Sequence, residues 1–286
     1  MYQNTLNYIS KKVSHIFHQY EIIDNHIHIG KGEGVWFYPD VDAARVMDVL
    51  ENIGISKAIV FPNYHKKYLD ANEEIFHIQQ SFKNLVGFGR LNTGRASWIP
   101  WKSILSPPRQ FLSAGLTNFL IRKNKIDTQA EIVKCINRYK LKGFKISPGV
   151  DGQLSKDEIA LINEFDVPIL IHDSPQNIYN RILRFFPKTK IILPHMGGYP
   201  ANSDDYLKAI KMAGEYENLY LDTSATMFQY ILHKGITEIP DKLIFGSDLP
   251  AWHPAAGVTL LMTLDIPETH LRRVFSENIK KLVDFS

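Results

Sequence analysis

An α/β fold closed as a single (β/α)8 TIM barrel is what the sequence predicts, and three observations predict it. Short β-rich runs recur along the 286 residues, helical patterns fill most of the gaps between them, and several runs are aliphatic without interruption. Ile169-Leu170-Ile171 and Ile191-Ile192-Leu193 are of that kind. Unbroken apolar runs suit strands buried on both faces, as in a parallel sheet. Right-handed crossovers between such strands leave few arrangements besides a barrel. A doubly wound open sheet is the runner-up. It would want a G-x-G-x-x-G turn after its first strand, and Gly30-Lys31-Gly32-Glu33-Gly34 lacks that spacing.

Taken in order, the strand candidates are Ile22–Ile29, Lys57–Phe61, Leu85–Leu91, Gly143–Ser147, Pro168–His172, Lys190–Pro194, Leu219–Thr223 and Lys242–Ser247. Helical periodicity is read over Asp42–Asn52, Thr128–Tyr139, Ser155–Phe165, Gln176–Phe186, Asp204–Tyr216 and Glu268–Val283, with Ser155 and Glu158 spaced as a capping box. Leu6, Ile9, Val13, Ile16 and Phe17 repeat at helical spacing, so an amphipathic N-terminal helix is expected to pack on the body. The barrel is distorted by an inserted excursion after strand 3, about 93–126, which carries Trp98, Pro100, Trp101, Pro107, Pro108, Phe111 and Phe119. It is too long for a simple connection and too aromatic for a solvated linker. Three uses are open: an ordinary surface excursion, an apolar lid, or a subunit contact such as a homodimer would use. The whole of 1–286 reads as one domain.

Composition narrows the partners. The chain is 44% hydrophobic and 22% charged, ordinary for a globular protein, and its net charge is only +3 with no basic stripe. Neither nucleic acid nor a membrane is expected as partner, which leaves a small-molecule substrate. Cys135 is the one cysteine, so no internal disulfide can form, and a reducing cytoplasm is the expected location. No stretch reaches the ~18 apolar residues of a membrane span, and the start has neither an apolar signal core nor a small-residue cleavage site.

The chemistry-bearing residues cluster at strand ends. His26 and His28 are two apart on the first strand and therefore face the same side, near enough to grip one ion. His172 directly follows the fifth strand, His195 the sixth, and Asp248 the eighth. Any one of these could be a satisfied polar group at a strand end. Together they place five metal-competent side chains on four strands whose C-terminal ends a barrel gathers at one mouth.

In that order, His-x-His, His, His and Asp, the chain resembles the amidohydrolase superfamily. Its phrases resemble the amidohydrolase-related branch, which holds decarboxylases and lactone hydrolases beside amide hydrolases. They are Ile23-Asp24-Asn25-His26-Ile27-His28, Phe88-Gly89-Arg90-Leu91-Asn92, Pro194-His195-Met196-Gly197-Gly198, Asn218-Leu219-Tyr220-Leu221-Asp222-Thr223-Ser224, Phe245-Gly246-Ser247-Asp248-Leu249-Pro250 and the closing Val274–Leu282. The resemblance implies His26, His28 and His172 as metal ligands, with Asp248 a ligand or the partner of a metal-bound water. It makes His195 a catalytic or supporting histidine. Three imidazoles and a carboxylate suit Zn2+, with Mn2+ or Fe2+ as substitutes, and leave room for an activated water. Asp248 could accept that water's proton, and His195 could polarise or protonate the substrate.

Lys145 and Arg90 are ambiguous. Lys145 is charged on an aliphatic fourth strand and has three readings: a substrate-binding or charge-balancing group, a carboxylated lysine bridging a second metal, or a plain strand-end lysine. Arg90 either binds a substrate carboxylate at the mouth or pairs with a neighbouring acid for structure. A single ion is expected. His253 reads as a loop histidine, and Tyr64 and His65 have similar, weaker positions. The expected reaction is hydrolysis of an ester, lactone or amide of a small acidic substrate. The alternative is non-oxidative decarboxylation of an aromatic or unsaturated acid, and a non-catalytic barrel is the third reading.

Overall fold

The computed structural model describes residues 19–31, 40–65, 68–95, 127–198 and 203–285. The expected N-terminal helix and all but the first residues of the excursion after strand 3 lie outside these. Nine strand segments run in parallel: β1 (Ile23–Ile29), β2 (Lys57–Pro62), β3 (Leu85–Gly87), β4 (Gly89–Arg90), β5 (Phe144–Ile146), β6 (Ile169–Ile171), β7 (Ile191–Leu193), β8 (Leu219–Asp222) and β9 (Leu243–Ile244). They form a three-stranded sheet, β1-β2-β3, and a six-stranded sheet, β4 through β9 in sequence order.

Backbone hydrogen bonds join the two sheets at both seams. At the first seam β3 and β4 are one strand interrupted at Phe88, whose N–H donates to Val60 O at 2.9 Å while Lys142 N–H donates to Gly87 O at 2.8 Å. At the second, Asn25 N–H reaches Phe245 O at 3.0 Å, Asp248 N–H reaches His26 O at 2.9 Å and His28 N–H reaches Leu249 O at 2.8 Å, with Ile27 bridged in parallel to Leu249. The ring of eight strands is thereby closed, as the strand pattern predicts.

All eight strands fall where the sequence places them, most of them shorter and β2 one residue longer. Their alternating side chains divide the apolar interior in two. Ile169, Ile171, Ile191, Leu193, Leu219, Leu221 and Leu243 face outward into one core against the helices. Ile23, Ile59, Phe61, Phe88, Leu170, Ile192 and Ile244 face inward into a second core, sealed at the bottom of the barrel by Ile279, Leu282 and Val283 from the C-terminal segment. Burial of these aliphatic side chains, each worth about 1.5–3 kcal/mol, is the main force holding the ring together.

The helices are set by local signals. Helix Ala43–Ile53 starts on Asp42, whose carboxylate accepts from Ala44 N at 2.9 Å, and stops at Gly54 in the left-handed region (φ 74°). Helix Lys156–Glu164 carries the expected capping box of Ser155 and Glu158, both halves formed. Three helices were not legible in the sequence: Tyr68–Ser81, Gln229–Glu238 and Pro254–Met262. The first has only a thin apolar stripe, Tyr68, Ala71 and Ile75, and the last is apolar on nearly every side, so neither shows a clear period. The helix expected over Glu268–Val283 is instead two short helices around a π-turn at Arg273–Glu277, and Gln176–Phe186 likewise tightens into a π-turn at Tyr179–Leu183. No helix among the described residues is long and apolar enough to cross a membrane.

Candidate metal centre

The inward-facing series of each strand, followed to its C-terminal end, turns from apolar to polar. Above Phe88 comes Arg90, above Leu170 comes His172, above Tyr220 comes Asp222, and Lys145 is the inward residue of β5, since its neighbours Phe144 and Ile146 both face outward. On β1 the alternation is broken by a register shift between Asp24 and Ile27. Ile23 faces inward while Ile27 and Ile29 face outward, so the shift swaps the parity of the strand. That bulge is what turns His26 and His28 into the barrel.

Three of the four expected ligands meet. One ligand atom each from His26, His28 and Asp248 lies within 4.8 Å of the others, and all three residues are buried. Asp248 Oδ1 is 3.3 Å from His26 Nε2 and 3.4 Å from His28 Nε2. Asp248 has a left-handed backbone (φ 69°), as do His195 (φ 56°) and Met196 (φ 53°). Such conformations cost a non-glycine residue energy, and their occurrence at these strand ends marks where side-chain placement overrides backbone comfort. Gly246 permits the approach of β9 to β1, because a Cβ there would meet Asn25 Nδ2 at 2.7 Å and His26 Cβ at 2.9 Å.

His172 differs from expectation. It is not in the three-residue cluster but stands half-buried at the mouth, packed edge-on against His195 with ring centroids 4.7 Å apart. His195 is itself 5.2 Å from the His26 ring, so the three imidazoles form a row leading away from the ligand cluster.

Asp222, on which the sequence reading placed no role, organises the centre. Its Oδ2 accepts from His26 Nδ1 at 2.8 Å. Its Oδ1 accepts from His195 N at 2.9 Å, from Ser224 N at 3.0 Å and from the Ser224 hydroxyl. A carboxylate can only accept, so His26 carries its proton on Nδ1 and keeps the Nε2 lone pair for the cluster. The signal was there to find: an acid ending the apolar run Leu219-Tyr220-Leu221. His195 Nδ1 lies 3.0 Å from Ser224 O, which by the same reasoning places its proton on Nδ1 and the lone pair on Nε2. Asp24 anchors the seam beneath, its Oδ1 accepting from His26 N at 3.0 Å and Ser247 N at 2.9 Å, while burial pushes its carboxyl up to about 7.

The electrostatics suit a cation. Burial, reinforced by Lys145, holds His26 well below the usual histidine range, and burial brings His28 down to about 4, so both are neutral bases at pH 7. Burial alone would raise Asp248, but the His28 hydrogen bond and the surrounding imidazoles keep it below the ordinary carboxylate range. Two neutral imidazole nitrogens and one ionised oxygen converging on a common point are a donor set for a divalent metal. A divalent metal would fit here, with His26, His28 and Asp248 as the residues that could hold it.

Lys145 stands at the same point. Its Nζ is 3.4 Å from His26 Nε2 and 5.4 Å from the centre of the Phe61 ring, and the side chain is 1% exposed. Burial, with the charge of Arg90 nearby, lowers it to about 7. Arg90 is placed otherwise than a substrate ligand would be. It is fully buried, its Nε donates to both oxygens of Asp151 at 3.2 and 3.0 Å, and its other nitrogens reach Pro62 O and Ser147 Oγ, each at 3.2 Å. The Tyr64 ring covers its guanidinium at 3.8 Å, and Tyr68 also binds Asp151, at 2.7 Å. The acid-paired alternative for Arg90 is the one this geometry favours: a buried guanidinium is held where an acid can neutralise it. His253 caps helix Pro254–Met262, accepting from Ala255 N at 3.3 Å, in keeping with a loop histidine.

A closed barrel with imidazoles and a carboxylate converging at its C-terminal mouth defines a metal-dependent barrel enzyme. The amidohydrolase family model matches residues 114–285, and the chain belongs to that family. No curated protein matches the sequence. Solved structures are similar in fold. A dihydroxybenzoic acid decarboxylase from a Polaromonas species, determined with manganese and 2-nitroresorcinol, is 16% identical, with 92% of this chain and 96% of that one covered at a TM-score of 0.65. A 5-carboxyvanillate decarboxylase from Sphingomonas paucimobilis is 13% identical over 92% and 98%, with a TM-score of 0.62. A probable 2-pyrone-4,6-dicarboxylic acid hydrolase from Acinetobacter baumannii is 12% identical over the same shares, with a TM-score of 0.63.

Proposed function

We propose that this enzyme is a metal-dependent decarboxylase of a small, planar carboxylic acid, which puts the second of the two reactions expected from the sequence ahead of hydrolysis. The observation that carries the reading is Lys145: a buried amine at the ligand cluster with no carboxylate within ion-pair distance among the described residues, beside two imidazoles and the carboxylate of Asp248 that a divalent ion would take up. Such a site calls for an anionic substrate. Decarboxylases of aromatic acids among the similar structures support it.

In this reading His26, His28 and Asp248 hold Zn2+ or Mn2+, both of which accept imidazole and carboxylate ligands. When bound, such an ion supplies positive charge that stabilises developing negative charge on the substrate's oxygens. Asp222 keeps His26 in the ligating tautomer. Lys145 binds an anionic oxygen of the substrate. The carbon–carbon bond to the carboxylate breaks, CO2 departs, and the electron pair stays on the ring carbon, which then takes a proton. His195, its Nδ1 proton tied to Ser224 O, first takes up a proton on Nε2 from solvent and, as the imidazolium, delivers that proton to the carbon. His172, edge-on to His195, sits at the mouth as the next polar contact for substrate.

The test is a panel of hydroxybenzoic and methoxy-hydroxybenzoic acids and a carboxylated pyrone lactone, incubated with the metal-loaded enzyme and followed by CO2 release and product mass. CO2 with loss of the carboxyl group is expected. Lactone opening without CO2 would return hydrolysis to first place.

A further inference from the structure

We infer that Lys145 couples metal to anion: an oxyanion of the substrate, lodged between Lys145 and the ion, is what lets the ligand cluster hold its ion tightly. The inference rests on the metal reading above and concerns what stands in the way of that metal. His26 Nε2 has one lone pair, since Asp222 holds the ring proton on Nδ1 at 2.8 Å. Lys145 Nζ lies 3.4 Å from that same Nε2, which Asp248 Oδ1 also approaches at 3.3 Å. A metal ion and the lysine therefore compete for a single lone pair.

They also repel one another. The lysine cannot leave for solvent, being 1% exposed and packed over Phe61. Among the described residues no carboxylate lies within ion-pair distance of it: Asp248, Asp222 and Asp151 act on it only from farther away, and Asp248 would itself be a ligand to the ion. Asp151, the acid nearest in kind, is engaged by Arg90, by the Tyr68 hydroxyl and by Ser147 N at 2.6 Å. Asp222 is engaged by His26, His195 and Ser224. Two cations a few ångströms apart in a buried site destabilise each other strongly, and a negative oxygen between them reverses the sign of both interactions. Binding of ion and oxyanion is then mutually favourable, and linkage makes the effect reciprocal. The oxyanion is either a carboxylate or a phenolate, since both offer a negatively charged oxygen that can face the two cations.

The experiment is a chelator-competition titration of zinc into the full chain, for wild type, Lys145→Met and Lys145→Arg, alone and with sodium benzoate or 4-nitrophenolate. Far-UV circular dichroism and thermal melting confirm that each variant is folded. In wild type at least one of the two anions is expected to tighten zinc by at least about tenfold, and which one does so identifies the oxyanion. Lys145→Met is expected to bind zinc about tenfold or more tightly than wild type without any anion, and to respond to neither. Lys145→Arg keeps the coupling. Should Lys145→Met not fold, the wild-type arms decide alone. Wild-type zinc affinity indifferent to both anions overturns the inference and leaves the metal reading standing. If no folded protein binds zinc under any condition, the metal reading falls and the inference with it.

Discussion

Replacing Asp222 by asparagine probes the centre without touching a ligand. Four donors converge on this carboxylate: His195 N, Ser224 N and the Ser224 hydroxyl on Oδ1, and His26 Nδ1 on Oδ2. An asparagine keeps its carbonyl oxygen where three donors need it, which turns the amide NH2 toward His26 Nδ1 at the 2.8 Å position. Two donors cannot face each other. His26 must then move its proton to Nε2, and the lone pair that the metal requires disappears from the cluster. Loss of such a supporting carboxylate costs about 10–100-fold in metal affinity, or roughly 1.4–2.8 kcal/mol. The fold should lose about 1.5–3 kcal/mol from the broken charge-assisted bond. Zinc titration beside a urea denaturation curve separates the two. A folded Asp222→Asn protein with wild-type zinc affinity would refute the assignment of the His26 tautomer, and with it the place of His26 Nε2 in the cluster.

Three further outcomes are expected. His26→Ala or His28→Ala should abolish retained metal and activity while leaving a cooperative melt, because a three-residue cluster has no ligand to spare; stoichiometric metal in the folded double variant would locate the site elsewhere. Arg90→Met should destabilise the protein by about 3–5 kcal/mol, since it strands Asp151 as an uncompensated buried charge, and a variant of normal stability that loses only substrate affinity would instead give Arg90 a direct binding role. Glu131, hydrogen-bonded by Asn72 at 3.1 Å, is raised by burial from its ordinary 4.5 to about 7. A carboxyl raised in the folded state stabilises it below pH 4.5 and loses that contribution as pH climbs through about 7, at most about 3 kcal/mol. Glu131→Gln should therefore flatten the decline in denaturation midpoint between those limits, and an unchanged pH profile would count against the assignment.

The strand set and the candidate site positions were legible in the sequence because buried parallel strands write themselves as aliphatic runs, and a polar residue ending such a run stands out. His26, His28, His172, His195 and Asp248 were singled out that way, as was Lys145, whose charge conflicts with its neighbours Phe144 and Ile146. Of the missed helices, Tyr68–Ser81 and Pro254–Met262 have too few or too many apolar residues to show a period. Asp222 was passed over because aspartate at a strand end is common, and only a fold that brings it 2.8 Å from His26, far away in sequence, gives it a role.

Period-two alternation within the chain determined that His26 and His28 share a side of their strand. It did not determine which side. Continued from inward-facing Ile23, an unbroken strand would turn Asn25 and Ile27 into the barrel and both histidines toward the helices. The register shift between Asp24 and Ile27 exchanges the two faces. Long-range contacts flank it: Ser247 N on Asp24, and Phe245 O bound by the backbone and side chain of Asn25. Likewise the charge on Arg90 was visible at once, but whether it met a substrate or Asp151 depended on where the Pro148–Asp151 turn landed against β4. Residue types are local and can be read in order. The partners that fix a side chain's direction and protonation arrive from distant strands, and only closure of the barrel brings them within hydrogen-bond reach.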